Sequence, residues 1–196
     1  MPARPLTAGE TALAKTVFGD SLDYKSITIS DEKFMALSML PEGTAMAPNG
    51  HLFMPGCYKD DYSKEDTYWK ALFVHEMTHV WQYQNKVLAP MAEAVRLNLS
   101  HGFNYAAAYP YKLDEKKDLI DYNMEQQASI VQDYFAMKQE GFKYQFWGNC
   151  KDGHCDDAEK KRLFEKVLEK FHADPAYAKR DAFPTNPKLK PKKPKP

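Results

Sequence analysis

KEDTYWKALFVHEMTHVWQYQNK, residues 64–86, decides how the fold is read. It has acids near its start and no interior Gly or Pro, so it predicts a long helix. Leu72, Phe73, Val80 and Trp81 fall on neighbouring faces. The middle of this helix is His75-Glu76-Met77-Thr78-His79, an H-E-x-x-H motif. On a helix His75 and His79 lie one turn apart on one face, with Cβ atoms about 5–6 Å apart. Two imidazoles at that spacing can both reach one ion at about 2.0–2.1 Å. Glu76 is offset around the helix, where it can take a proton from metal-activated water and pass it to a leaving amine. The motif thus offers two ligands, His75 and His79, and one general base, Glu76. The uncharged flanks 72–74, 77–78 and 80–81 suit a buried helix better than a solvated face with incidental histidines.

A catalytic zinc needs a third protein ligand. The G-x-x-H continuation found in one class of zinc peptidases is absent, since VWQYQNKV follows His79. A glutamate on a later helix is the other common solution. Glu125, in Met124-Glu125-Gln126-Gln127-Ala128, lies 46 residues after His79. Ala128 is small enough to let two helices approach closely. Glu140, Glu93 and Asp121 are the other candidates.

The rest of the chain fills in around these two helices. Thr7-x-x-Glu10 is a capping box that opens a helix ending at Gly19. SITIS, residues 26–30, reads as a strand, and Asn49-Gly50 as a hairpin turn before a strand at His51–Met54. Pro55 places that strand at a sheet edge, where it serves either as an ordinary strand or as a template for extended peptide. The second strong helix is expected over 114–140, ending at Gly141, and a third over 156–172. The class is therefore α+β, mostly helical with a small sheet toward the N-terminus.

Composition narrows the function. Lys+Arg and Asp+Glu are both 27, but residues 184–196 hold five lysines and no acid, leaving the body 1–183 with net charge −5. That disfavours a broad nucleic-acid surface and sets a Pro/Lys-rich, extended tail apart from the 1–183 domain. Apolar residues at 43% are too many for a disordered chain, yet no run approaches the ~20 residues of a membrane span. MPARPLTAGE lacks the apolar segment of a secretory signal, so export would need another device. Three cysteines make no disulfide framework. Cys150 and Cys155 flank a polar loop and can pair in an oxidising compartment; with His154 they fall short of a four-ligand metal clip.

Four stretches together resemble a known group: LTAGETALAKTVFGDSLDYKSITIS, HLFMPG, ALFVHEMTHVWQYQ and DYNMEQQASIVQDYF, spanning roughly residues 5–140. The chain resembles gluzincin-type zinc metallopeptidases. More narrowly, it resembles the metallopeptidase domains of Vgr-related proteins, which are fused to or encoded near bacterial type VI secretion spikes. The resemblance implies a zincin-like fold and one Zn²⁺ per chain, held by His75, His79 and Glu125, with Glu76 as catalytic base. It implies a toxin-like or processing peptidase in a bacterial envelope setting, delivered to a periplasm or outside the cell. Its substrate would be polypeptide or peptidoglycan peptide, and its partners a secretion spike or an immunity protein. Many gluzincins carry an Asp four residues after the glutamate ligand; Ser129 stands there, and Asp133 is the next acid along. Tyr105, Tyr109, Tyr111 and His101 lie between the ligand helices and are candidate oxyanion donors. The competing class is a zinc-containing assembly or binding module of a secretion apparatus, without catalysis.

Overall fold

The computed structural model describes residues 2–34, 45–101, 104–141, 149–151 and 157–184. Three strands, β1 (Arg4–Pro5), β2 (Thr28–Ser30) and β3 (Leu52–Phe53), form a small sheet in that order. Around it stand α1 (Ala8–Phe18), α2 (Thr67–Gln84), α3 (Pro90–Ser100), α4 (Met124–Glu140), α5 (Asp157–Val167) and α6 (Glu169–Ala173). The chain is α+β and mostly helical, as its pattern predicts.

Local chemistry sets the element ends. Thr7 accepts from the Glu10 amide, and the Glu10 carboxylate accepts from the Thr7 amide, so α1 starts on a complete capping box. It stops at Gly19, whose φ of 52° a side chain would resist. The fully buried Glu10 also takes two 2.8 Å bonds from Arg4 and the Tyr62 amide at 3.0 Å. One carboxylate thus ties β1, α1 and the turn preceding α2 together.

The sheet differs from its expected layout in one respect. β1 pairs antiparallel with β2, and β2 pairs parallel with β3. On its other side Phe53 exchanges two backbone bonds with Met46, at 3.0 and 2.8 Å, across a turn through Asn49 and Gly50. The Asn-Gly turn is therefore real, but the outer edge at Phe53 is already occupied. His51–Met54 does not offer the free edge that a peptide template requires. Ala45, beside Met46, lines a cleft that His75 and Glu76 also line.

The histidine helix α2 runs through the middle of the molecule. Asp66 caps it by accepting from the Trp69 amide, so it begins three residues later than the sequence pattern suggests. Every residue from Ala71 to Gln82 is buried. A helix with no solvent face over three turns must be covered by other elements, and α4 is its main partner. Ala128 is fully buried there. α4 is shorter than 114–140, because Asn123 and Gln126 form a capping box that starts it at Met124. Asp118 caps a separate turn at Leu119–Asp121. On another side Phe171 meets Phe18 and Trp81 edge-on at 5.9 and 5.2 Å, and Trp81 Nε1 donates to the Pro175 carbonyl at 2.7 Å. The expected third helix divides at Leu168 into α5 and α6.

No described helix is long and apolar enough to cross a membrane. Cys155, His154 and the lysines of the tail lie outside the described residues, so the expected pairing with Cys150 and the extended tail do too.

Candidate metal centre

α2 and α4 bring together three side chains that are 46 or more residues apart in pairs across the two helices: His75, His79 and Glu125. All are buried, and their ligand atoms lie within 4.8 Å of one another. Glu125 Oε2 is 3.3 Å from His75 Nε2 and 3.4 Å from His79 Nε2. Ligand atoms at the corners of a tetrahedron with bonds of about 2.0–2.1 Å stand about 3.3–3.4 Å apart. The carboxylate therefore stands at tetrahedral-ligand spacing from each histidine, and two imidazoles and one carboxylate are donors that zinc takes.

The residues also fit a metal electrostatically. Burial alone would lower the His79 pKa, but the Glu125 carboxylate overrides it and raises His79 to about 9. Burial alone would raise Glu125; the charge of His79 and the hydrogen bonds from both imidazoles instead hold it well below the carboxylate range. The site thus keeps an anion in the interior by surrounding it with positive donors, a role that a divalent cation would also fill.

Glu76 lies beside this cluster on α2. Its Oε2 is buried and has no hydrogen-bond partner among the described residues. Burial raises its pKa, an effect the two histidines oppose and Glu125 reinforces. His75 and Glu76 both line a cleft of about 360 Å³. Tyr68, Trp69 and Leu72 contribute to one part of its wall, and Ala106 and Tyr109 to another.

The remaining candidates separate clearly. Tyr105 donates to Glu125 Oε1, and Tyr109 stacks on the His75 ring with centroids 6.0 Å apart. Tyr111 faces away, donating to Asp133 Oδ2 at 2.5 Å. His101 closes α3, with Nδ1 on the Leu97 carbonyl at 2.9 Å. The alternative third ligands are occupied elsewhere: Glu140 by the Thr67 hydroxyl, Glu93 by Arg96, and Asp121 by the Asp118 amide.

Asp133 does not stand behind a histidine. The outer nitrogens of the imidazoles meet glutamines instead: His75 Nδ1 lies 2.6 Å from Gln132 Oε1, and His79 Nδ1 lies 2.8 Å from Gln82 Oε1. Sequence reasoning missed these glutamines. A helical Gln usually marks a surface, and the available signal was their place among residues expected to be buried.

Fold and site define a class: a mostly helical α+β domain that buries a His-His-Glu cluster between two packed helices. No family model matches the sequence. The chain is 41% identical over 139 residues to the type VI secretion system spike protein VgrG2b of Pseudomonas aeruginosa. That match covers 70% of this chain but only 13% of the spike protein. The solved effector domain of Pseudomonas aeruginosa VgrG2b is similar with a TM-score of 0.57 and 32% identity, over 86% of this chain and 82% of that one. The chain belongs to the family of the VgrG2b effector domain.

Proposed function

We propose that this chain is a zinc-dependent metallopeptidase acting as a secretion-associated effector. The observation that carries the reading is Glu76, whose buried Oε2 has no partner among the described residues, next to the His75-His79-Glu125 cluster and on the wall of a cleft. A site built only to hold a structural ion has no use for such a base.

His75, His79 and Glu125 would hold the metal. When bound, zinc supplies Lewis-acid chemistry: it makes water more acidic and polarises a carbonyl. Glu76 Oε2 accepts a proton from water and returns it to the departing amine, so one carboxylate acts as base and then as acid. Its burial, which favours the protonated form, suits the second half of that cycle. Tyr105 and Tyr109 both engage the Glu125 carboxylate, but of the two Tyr109 lines the cleft, which makes it the better-placed donor to a developing oxyanion. The substrate is an amide in polypeptide or in peptidoglycan peptide. Kinship with a spike-protein domain supports delivery by a type VI apparatus, with a spike component and an immunity protein as proposed partners.

The test pairs metal analysis with cleavage profiling of proteins and muropeptides. Parent and Glu76→Gln are each expected to hold one zinc per chain, while the variant loses about 10²–10⁴-fold in hydrolysis. Chelation is expected to abolish activity and added zinc to restore it. Full activity in Glu76→Gln would overturn the mechanism.

A further inference from the structure

His79 is joined to the start of α4 by a chain of buried amides. Gln82 Oε1 faces His79 Nδ1, while Gln82 Nε2 donates to the Met124 carbonyl at 3.0 Å and to Gln127 Oε1 at 3.0 Å. Gln127 Nε2 in turn donates to the Tyr122 carbonyl at 2.7 Å. Gln82, Gln127 and His79 are all buried, so the chain lies away from bulk solvent.

The polarity of the chain follows from its ends. A backbone carbonyl only accepts, so the Tyr122 oxygen requires the Gln127 amino group, and the Met124 oxygen requires the Gln82 amino group. Both amides are thereby fixed against flipping. The Gln82 oxygen must then face His79 Nδ1, and an amide oxygen only accepts. The imidazole therefore carries a proton on Nδ1, and Nε2 is the nitrogen directed at Glu125, 3.4 Å from its Oε2. Met124, whose carbonyl anchors Gln82, is the residue before Glu125. One side chain thus sets the tautomer of one ligand and holds the backbone next to another.

We infer that Gln82 is a positioning residue for the metal, acting through a Tyr122–Gln127–Gln82–His79 relay that fixes which imidazole nitrogen binds and couples the two ligand helices. This rests on the zinc reading above. It assigns to neutral amides a task that commonly falls to a carboxylate, so the orienting partners add no negative charge to the site.

The test measures zinc affinity, by competition with a chromophoric chelator, for parent, Gln82→Leu, Gln127→Leu and the control Gln84→Leu. Gln84 lies on the same helix but bonds outward, its Oε1 accepting from the Asp23 amide. Loss of an orienting partner typically weakens metal binding about 10–100-fold, which is the fall expected for Gln82→Leu. Gln127→Leu, which touches no ligand, is expected to fall several-fold, and Gln84→Leu to match the parent. Melting of the metal-free proteins checks folding; if Gln82→Leu does not fold, Gln127→Leu decides. A second readout is the proton spectrum of the zinc-loaded protein. The parent is expected to show slowly exchanging imidazole protons from both His75 and His79, and Gln82→Leu to lose that of His79 alone. Zinc affinity within twofold of the parent in both folded relay variants, or an unchanged His79 proton, would overturn the inference. A parent that binds no zinc would instead overturn the zinc reading, and this inference with it.

Discussion

Tyr105 donates its phenol to Oε1 of Glu125, leaving Oε2 of the same carboxylate to the two histidines. The carboxylate is thus divided between a fixed protein donor and the ligand cluster. Glu125→Ala is expected to abolish stoichiometric zinc binding in metal analysis. Tyr105→Phe removes only the donor, so it should keep one zinc per chain and weaken affinity by roughly 10-fold, in the range for outer partners of a metal ligand. Equal affinity in Tyr105→Phe and parent would show that the phenol does not hold the carboxylate.

Tyr109 should behave differently, because it lines the cleft and stacks on His75. Tyr109→Phe keeps the ring and deletes the donor. If Tyr109 meets the developing oxyanion, kcat should fall about 10²–10³-fold while KM and zinc content change little. A rise in KM at unchanged kcat would make Tyr109 a substrate-binding residue instead.

Asp133 makes stability depend on pH. Burial raises its carboxyl to about 7, and the Tyr111 hydrogen bond with the charges of His75 and Lys160 reverses that only in part. The unfolded chain releases this proton near the ordinary carboxylate value, so between there and 7 the folded state binds more protons. The associated stability is fully present at low pH and is lost as pH rises through 7. Asp133→Asn keeps an acceptor for Tyr111 and does not titrate. Its melting curve should meet the parent's near pH 4, and above pH 7 it should be more stable by on the order of 2–4 kcal/mol.

Arg4 tests the tie at the other end of the molecule. Its guanidinium pairs with Glu10, which is fully buried. Arg4→Ala leaves that carboxylate without its cation and should cost about 3 kcal/mol in denaturant melts. Zinc per folded chain should not change, because the pair touches no ligand.

What could be read from the sequence follows the range of its signals. His75, Glu76 and His79 are legible because one helical turn joins them. Glu125 needs a second helix at the right distance, and its helix context, the small Ala128 and the resemblance argue for it over Glu93, Asp121 or Glu140. The sequence pattern puts the start of α4 too early because the charged and apolar mixture of DEKKDLIDY looks helical, whereas the Asn123–Gln126 capping pair sets it at Met124. β1, two residues long, gives no periodic signal. Gln82 and Gln127 look like any helical glutamine until packing buries them.

Trp81 is covered by Phe171 and bonded to Pro175, so the last described helix seals the helix that carries the histidines. Ribosomal synthesis runs in the opposite sense: the motif emerges long before its cover. A nascent chain that has reached the end of α4 already holds every proposed ligand, yet an indole on its central helix remains exposed to solvent. Truncation before α5 should therefore yield an aggregating fragment rather than a minimal enzyme. The cover over Trp81 is complete only after translation has passed Pro175.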